Sequence, residues 1–246
     1  MSYNQFDNYD SLDSSQAISK SEVSTFMSKI FSYMFFALLL SGTTAYVIGS
    51  SENLLSYLIQ IDGQYASRTL LGWIVMLAPL GVVIYMSTRL EKSTVGALLT
   101  AFILFSILFG ASISYIFMFY SLPHIYLTFF ISAATFGIMA VVGYTTSTDL
   151  TKMGQILMMA VIGLIIASVA NWFMQSSAMS YYISGAGVLI FTGLTAYDTQ
   201  KLKRMGMQVG AHSEMAQKMI IMGALTLYLD FINLFLFMLR FMGGRD

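Results

Sequence analysis

Seven long apolar segments follow one another along the chain, and short polar connections separate them. An α-helix rises about 1.5 Å per residue, so about 20 apolar residues cross the ~30 Å hydrocarbon core of a bilayer. The chain is 57% hydrophobic and only 10% charged, whereas a soluble domain is about one quarter charged. The sequence therefore predicts a single-domain, all-α membrane protein with seven transmembrane helices. By hydropathy these cover roughly residues 30–49, 70–88, 95–118, 125–146, 155–173, 182–199 and 219–241.

The first 25 residues differ from the rest in being rich in Ser, Asn, Asp and Gln. Such a segment has too little apolar surface to offset the conformational entropy lost on ordering. It also lacks the basic region and short apolar core of a cleavable signal peptide. We therefore expect a disordered tail at 1–25, followed by the transmembrane domain at 26–246, whose first helix serves as an uncleaved anchor.

Lysine and arginine are distributed unevenly among the connections. Short cytoplasmic loops carry an excess of these residues. If the tail is cytoplasmic, nine of the twelve fall on that side, and Arg68, Arg240 and Arg245 fall outside. The bias favours a cytoplasmic N-terminus. The two C-terminal arginines leave two alternatives for the last segment, which either crosses fully or is re-entrant.

Several classes of function lack the residues they need. The chain has no cysteine, and its two histidines, His124 and His212, fall in predicted loops on opposite sides. Neither HExxH nor GxSxG occurs, so neither a three-ligand zinc site nor a serine nucleophile motif is indicated. The chain also has no basic face that could follow nucleic acid phosphates. We expect neither an enzyme, nor a bound cofactor, nor a nucleic acid partner.

Asp198 and Asp230 are the two carboxylates that lie inside apolar segments. A charged side chain at the centre of a transmembrane helix costs about 2.5–3.5 kcal/mol on insertion scales, so such residues face the interior of the helix bundle. Asp230 is near the midpoint of the last segment. Asp198 is near the end of the sixth, close to Lys201 and Lys203, where it could instead be an interfacial residue satisfied by water and a helix-end salt bridge.

Asp230 belongs to a polar stripe on the last helix. Gly223, Thr226, Asp230, Asn233 and Arg240 follow spacings of three, four, three and seven residues, which place them on one helix face. In the sixth segment, Thr195 shares a face with the aspartate three residues later. We take Thr195, Thr226 and Asn233 as polar residues that support the two carboxylates.

If Asp198 and Asp230 meet, desolvation and like-charge repulsion oppose ionisation of both, so the pair would share a proton and act as a pH sensor. Arg89, at the end of the second segment, could snorkel towards the remaining negative charge, or it could be a plain positive-inside anchor. The depths of the two aspartates agree only if "SEMAQKMIIM" enters the membrane late, with Ser213 as the cap of an amphipathic lead-in, or if "KLKRM" continues the sixth helix while its lysines snorkel.

The stretches "FTGLTAYDTQKLK" and "ALTLYLDFINLFLFMLRFMG" resemble the bacterial branch of the transmembrane Bax inhibitor motif family. The similarity covers about residues 25–246. It implies a seven-helix fold whose last helix lies centrally among the other six. It also implies a pH-dependent leak of cations, calcium above all, through a pore closed by an aspartate pair and latched by an arginine. Matched residue by residue, the pair is Asp198 and Asp230, and the latch is Arg89.

These residues define the functional hypotheses. Calcium favours oxygen ligands, and Asp198 and Asp230 could bind it transiently. The leading hypothesis is a pH-sensitive calcium leak channel in the bacterial inner membrane, with the bilayer and permeant cations as partners. The first alternative is a regulatory protein that binds other membrane proteins, including a membrane protease. The others are a proton-coupled transporter of a small solute and, as the weakest, an intramembrane hydrolase.

Overall fold

The computed structural model describes residues 19–62, 65–209 and 213–243. Seven helices in these ranges are long and apolar enough to cross a membrane, which confirms the predicted all-α membrane fold. Between two of them lies a short antiparallel hairpin. The elements are α1 (Lys20–Gly49), α2 (Glu52–Ser56), β1 (Ile59–Asp62), β2 (Tyr65–Arg68), α3 (Leu70–Thr88), α4 (Val95–Ile113), α5 (Ile116–Phe119), α6 (Leu122–Thr145), α7 (Thr151–Met174), α8 (Ser177–Val209) and α9 (Glu214–Met242).

Helix α1 begins earlier than the hydropathy pattern predicts. Ser19 and Glu22 form a capping box, in which the Ser19 hydroxyl accepts from the Glu22 amide and the Glu22 carboxylate accepts from the Ser19 amide. These bonds satisfy amides that the first helical turn leaves without partners. The predicted disordered tail at 1–25 is therefore wrong for residues 20–25, which are helical. Its residues 1–18 lie outside the described ranges.

The hairpin between α1 and α3 was not predicted. Ile59 pairs with Arg68, and Asp62 pairs with Tyr65. The Arg68 guanidinium lies 5.0 Å from the centre of the Tyr115 ring, just after α4, and so ties the hairpin to the bundle. Glycine at the first position of a two-residue loop favours a hairpin turn, so Gly63 is the sequence signal that hydropathy does not detect.

Helix α9 is the most buried of the seven in the described part of the chain. In its apolar stretch, 67% of the residues are buried within the protein, against 39% or less in the other six helices. It packs against α1, α4, α6 and α8. Residues flanking the polar stripe, such as Leu225, Leu227 and Phe231, are also buried, so burial is not confined to one face of the helix.

Helix α9 is continuous over 29 residues, or about 44 Å. A re-entrant segment would need a turn within this length, and the helix has none. The structure therefore agrees with the alternative in which the last segment crosses fully.

Small residues set the closest helix approaches. A side chain on Gly143 of α6 would collide with the backbone of Ala196 in α8, and one on Gly110 of α4 would collide with the backbone of Ser41 in α1. The Ser41 hydroxyl lies 2.7 Å from the Tyr228 hydroxyl of α9, which links α1 to the core of the bundle. Such contacts hold helices together in lipid, where the hydrophobic effect does not drive one helix against another.

The outer surfaces of the helices are apolar. Helix α7 is the extreme case, with 6% of its apolar stretch buried and large side chains such as Ile166, Trp172 and Phe173 exposed. A soluble protein rarely exposes a continuous apolar surface of this kind. A lipid bilayer is the environment in which such an apolar outer surface is stable.

Candidate functional site

The end of α8 and the start of α9 determine whether Asp198 and Asp230 can lie at the same depth in the bundle. Helix α8 continues through "KLKRM" to Val209, and α9 begins at Glu214, five residues before the predicted start. The Ser213 hydroxyl accepts from the Ala216 amide and caps α9. The helix extensions that both alternatives require are therefore present, and they allow Asp198 and Asp230 to reach the same level of the bundle.

The structure brings Asp198 and Asp230 together between α8 and α9. Their carboxyl groups are close enough to interact directly. Asp198 is 8% exposed and Asp230 5% exposed. A carboxylate has only acceptor atoms, so a hydrogen bond between two carboxyl groups requires one proton on one of them. The geometry defines a buried acid pair that can share a proton.

Two buried oxygens, one on Asp230 and one on the residue after Asp198, lack partners. Among the described residues, Asp230 Oδ2 and Thr199 Oγ1 are buried side-chain atoms without a hydrogen bond. An unpaired buried acceptor costs about 1–3 kcal/mol. Ionisable groups retained inside a membrane domain at such a cost are typical of functional sites. The described residues include no cluster of three or more acidic or histidine side chains that could hold a metal ion.

The three polar residues expected to support the pair direct their donors to their own helices. Thr195 Oγ1 donates to the Phe191 carbonyl at 2.8 Å, and Thr226 Oγ1 donates to the Met222 carbonyl at 3.1 Å. Asn233 Nδ2 donates to the Leu229 carbonyl at 2.9 Å. Each therefore satisfies a donor locally, and the structure gives none of them a hydrogen bond to either aspartate. Their supporting role stays a prediction.

Arg89 is not brought to the acid pair. It follows the last residue of α3, its side chain is exposed, and its backbone amide donates to the Tyr85 carbonyl. Among the described residues, Lys201, three residues after Asp198 on α8, is a cation close enough to act electrostatically on both carboxyl groups. The latch role of Arg89 stays a prediction that concerns another conformation of the α3–α4 loop.

That loop is nevertheless tied to α9 by a buried lysine. The Lys218 ammonium group forms a 2.9 Å ion pair with Glu214, and its side chain is 8% exposed. The same group donates to the Glu91 carbonyl, two residues after Arg89, at 3.4 Å. A movement of α9 would therefore be transmitted to the loop that carries Arg89.

Sequence reasoning missed a set of contacts between α8 and the α6–α7 loop. Gln200 Nε2 donates to the Thr148 carbonyl at 2.8 Å, and its Oε1 accepts from the Leu150 amide at 2.9 Å. Lys203 Nζ donates to the Tyr144 carbonyl at 2.7 Å, one of the carbonyls that the end of α6 leaves unpaired. The only sequence signal is the polar run "DTQKLKR", which does not specify partners. These contacts hold the α8 segment that follows Asp198.

Asp149 lies in the same loop, outside the membrane-spanning helices. Its Oδ1 accepts from the Thr151 hydroxyl at 2.6 Å and from the Thr151 amide at 2.9 Å. The Arg204 guanidinium lies 2.9 Å away. The Thr151 hydroxyl, then the Thr151 amide and then Arg204 lower the pKa of Asp149 to about 2, because each stabilises the ionised form.

These features define a class of protein, a multi-pass α-helical membrane protein whose last two spanning helices carry a buried acid pair. Residues 23–246 match the family described as "Inhibitor of apoptosis-promoting Bax1". The chain therefore belongs to the Bax inhibitor-1-like family, which confirms the resemblance seen in its late motifs.

Its relatives include bacterial proteins of nearly the same length. It is 40% identical over 222 residues to the inner membrane protein YbhL of Escherichia coli, which covers 90% of this chain and 92% of the relative. It is 42% identical over 220 residues to an uncharacterized protein of Rickettsia prowazekii, with 89% of each chain covered. An uncharacterized protein of Borreliella burgdorferi is 41% identical over 220 residues, covering 89% of this chain and 92% of the relative.

Proposed function

We propose that this protein is a pH-responsive cation leak channel, with calcium as a permeant ion, and that the Asp198–Asp230 pair is its gate. The observation that carries the proposal is the contact between two buried carboxyl groups on neighbouring helices. Family membership supports it through the activity that the resemblance implies. The name of the Escherichia coli relative supports an inner-membrane location. We also propose a cytoplasmic N-terminus, on the distribution of Lys and Arg.

The pair couples proton occupancy to the contact between α8 and α9. With one shared proton, a hydrogen bond joins the two helices through their carboxyl groups. When that proton is lost, two like charges face each other in a low-dielectric environment, where repulsion is stronger than in water. The pH therefore biases the α8–α9 contact between two states, and α9 transmits the bias to the α1, α4 and α6 helices that surround it.

The acid pair suits a permeant cation better than a resident one. A calcium site of high affinity uses 6–8 oxygen ligands, whereas two carboxyl groups are the acidic ligands that this site offers. Conduction requires binding that is favourable enough for entry and weak enough for release. Two carboxyl groups alone offer few ligands and therefore a weak site, and because their charge changes with pH, we expect the leak to depend on pH.

Calcium flux into liposomes tests the proposal. The full chain is reconstituted with a calcium indicator inside the vesicles, and flux is measured across a pH series for the wild type, Asp198→Asn and Asp230→Asn. We expect the midpoint of the pH profile to shift by about one pH unit or more in each variant, because each removes one member of the coupled pair. Asp149→Asn, which changes an aspartate outside the pair, is the matched control and should keep the wild-type profile.

Unchanged flux and an unchanged pH profile in both pair variants would contradict the proposal. The same preparation separates the alternative functions. Proton uptake that requires a solute would indicate a proton-coupled transporter. Partner proteins that co-purify with both variants, together with no flux for the wild type, would indicate a regulatory protein.

A further inference from the structure

A large apolar groove opens sideways towards the bilayer between α1 and α6. Its volume is about 460 Å³, within the roughly 300–1,000 Å³ of ligand pockets. Helices α1 and α6 are not among the helix pairs that pack closely, so α4, α5 and α9 complete the groove between them. Its floor is formed by Ile232 and Phe235 of α9, which are 5% and 4% exposed.

The lining determines what can fill the groove. It is apolar apart from a few side chains such as Ser41 and Thr43, and the Ser41 hydroxyl is engaged by the Ala37 and Ser106 carbonyls and by Tyr228. Water needs two to four polar partners to occupy a cavity, and these walls do not supply them. The rim residues Phe35, Leu39 and Phe130 are 50–68% exposed towards the bilayer. The occupant is therefore apolar and enters from the lipid.

The length of the groove distinguishes an acyl chain from a helix. Along α1 the lining runs from Phe35 to Tyr46, which is about 17 Å of helix. This is about half of the ~30 Å hydrocarbon core, or the depth of one leaflet. The helix of a partner protein or of a second copy would cross the whole core, whereas a phospholipid chain occupies one leaflet.

The groove also has an end suited to a headgroup. Tyr46 and Tyr126 line it within about one turn of the ends of α1 and α6, and they are 46% and 53% exposed. Tyrosine is enriched at the membrane–water interface, where its ring is in apolar surroundings and its hydroxyl in polar ones. This end is opposite to the one where Lys201, Lys203 and Lys218 lie.

We propose that the groove between α1 and α6 is a binding site for one acyl chain of a membrane phospholipid, held against α9 in the leaflet opposite the lysine-rich end. The site does not depend on the proposed channel function. It lies against α9 at residues two and five positions after Asp230, on another face of the helix. An acyl chain bound in the groove therefore packs against the side of α9 that faces away from the acid pair.

Lipid retention provides the first test. The full chain is reconstituted with palmitoyl-oleoyl phosphatidylethanolamine, extracted in mild detergent and analysed by native mass spectrometry. Gly42 lines the groove, and a side chain added there meets no atom within 4 Å, so Gly42→Phe fills the groove without a backbone clash. Gly163 on α7 is equally open and lies outside the groove, so Gly163→Phe is the matched control.

We expect the wild type and Gly163→Phe to retain one phospholipid and Gly42→Phe to bind it about tenfold more weakly or worse. Equal retention by Gly42→Phe, or no retained lipid in the wild type, would overturn the proposal. A lipid-free dimer that Gly42→Phe dissociates would also overturn it, by assigning the groove to a second copy.

Photolabelling of the wild type tests the site without depending on the folding of a variant. Phosphatidylethanolamine with a diazirine at the end of one acyl chain is crosslinked in vesicles, and the labelled peptides are sequenced. Because Ile232 and Phe235 are buried from bulk lipid, we expect their peptide to be labelled only through the groove. Labelling confined to outer surfaces such as α7 would overturn the proposal.

Discussion

Asp149 is held by three donors, and their order of importance can be measured residue by residue. The Thr151 hydroxyl and amide and the Arg204 guanidinium lower its pKa from 3.8 to about 2. A pKa lowered by folding contributes stability above the unfolded value of 3.8, and this contribution is lost as the pH falls through about 2. Asp149 therefore stabilises the α6–α7 loop at neutral pH and ceases to do so in strong acid.

Substitution of its partners should raise the pKa of Asp149 to different extents. Because the Thr151 hydroxyl is the largest cause, we expect Thr151→Ala to raise it more than Arg204→Gln. Titration of the Asp149 carboxyl carbon by NMR in detergent-solubilised protein measures both shifts. A larger increase in Arg204→Gln would mean that the ion pair, and not the hydrogen bond, dominates.

Single residues also show the limits of prediction from sequence. Asp198 and Asp230 could be singled out because lipid disfavours a carboxylate that has no partner. Lys201 and Gln200 could not, because their importance depends on what faces α8, and no local pattern specifies that. The same applies to Arg89. Its position at the end of a helix could be predicted from the sequence, whereas the exposure of its side chain could not.

At the scale of elements, hydropathy locates the middle of each helix better than its ends. Helix α1 is extended by the capping box at Ser19 and Glu22, and α8 extends ten residues beyond the predicted end at 199, to Val209. Both extensions contain several charged or polar residues, so a scale based on transfer into lipid does not assign them to a span. Capping motifs and helix propensity are the signals that do.

The approach of α6 to α8 depends on one glycine, and this can be tested by a matched pair of substitutions. A methyl group on Gly143 would collide with the backbone of Ala196, two residues before Asp198. We expect Gly143→Ala to lower the free energy of unfolding by about 1–3 kcal/mol, because the two helices must separate. A side chain on Gly137 of the same helix meets no atom within 4 Å.

Gly137→Ala should therefore be neutral or stabilise the helix by up to about 1 kcal/mol. Unfolding of the detergent-solubilised variants, followed by circular dichroism, gives the comparison. Equal effects of the two substitutions would show that close packing at Gly143 does not limit stability.

At the scale of the whole molecule, the seven spans and their order could be predicted because the bilayer imposes a fixed length and a fixed polarity. Which helix is most buried could not be derived from composition. Helices α9 and α7 have similar mean hydropathy, 2.0 and 2.2, yet 67% of the apolar stretch of α9 is buried and only 6% of that of α7. The difference comes from tertiary packing, which hydropathy does not record.

The orientation of the molecule is a prediction that the absence of cysteine makes easy to test. Single cysteines can be placed at Asn53, between α1 and α3, and at Lys92, between α3 and α4, both of which are exposed. With the N-terminus in the cytoplasm, a membrane-impermeant maleimide added to spheroplasts should label Asn53→Cys and not Lys92→Cys. Permeabilised cells should show labelling of both, and the reverse pattern in intact spheroplasts would invert the topology.

The central claim is that Asp198 and Asp230 act as one unit, and the pH dependence of calcium flux in the double variant tests it most directly. If the pair shares a proton, Asp198→Asn and Asp230→Asn each keep one carboxyl group that no longer titrates as part of a pair, so each should have a shifted midpoint, whereas the double variant has no carboxyl group left and should lose the pH dependence. Asp149→Asn should match the wild type. A double variant that keeps the wild-type pH profile would contradict the account, as would single variants whose midpoints equal that of the wild type.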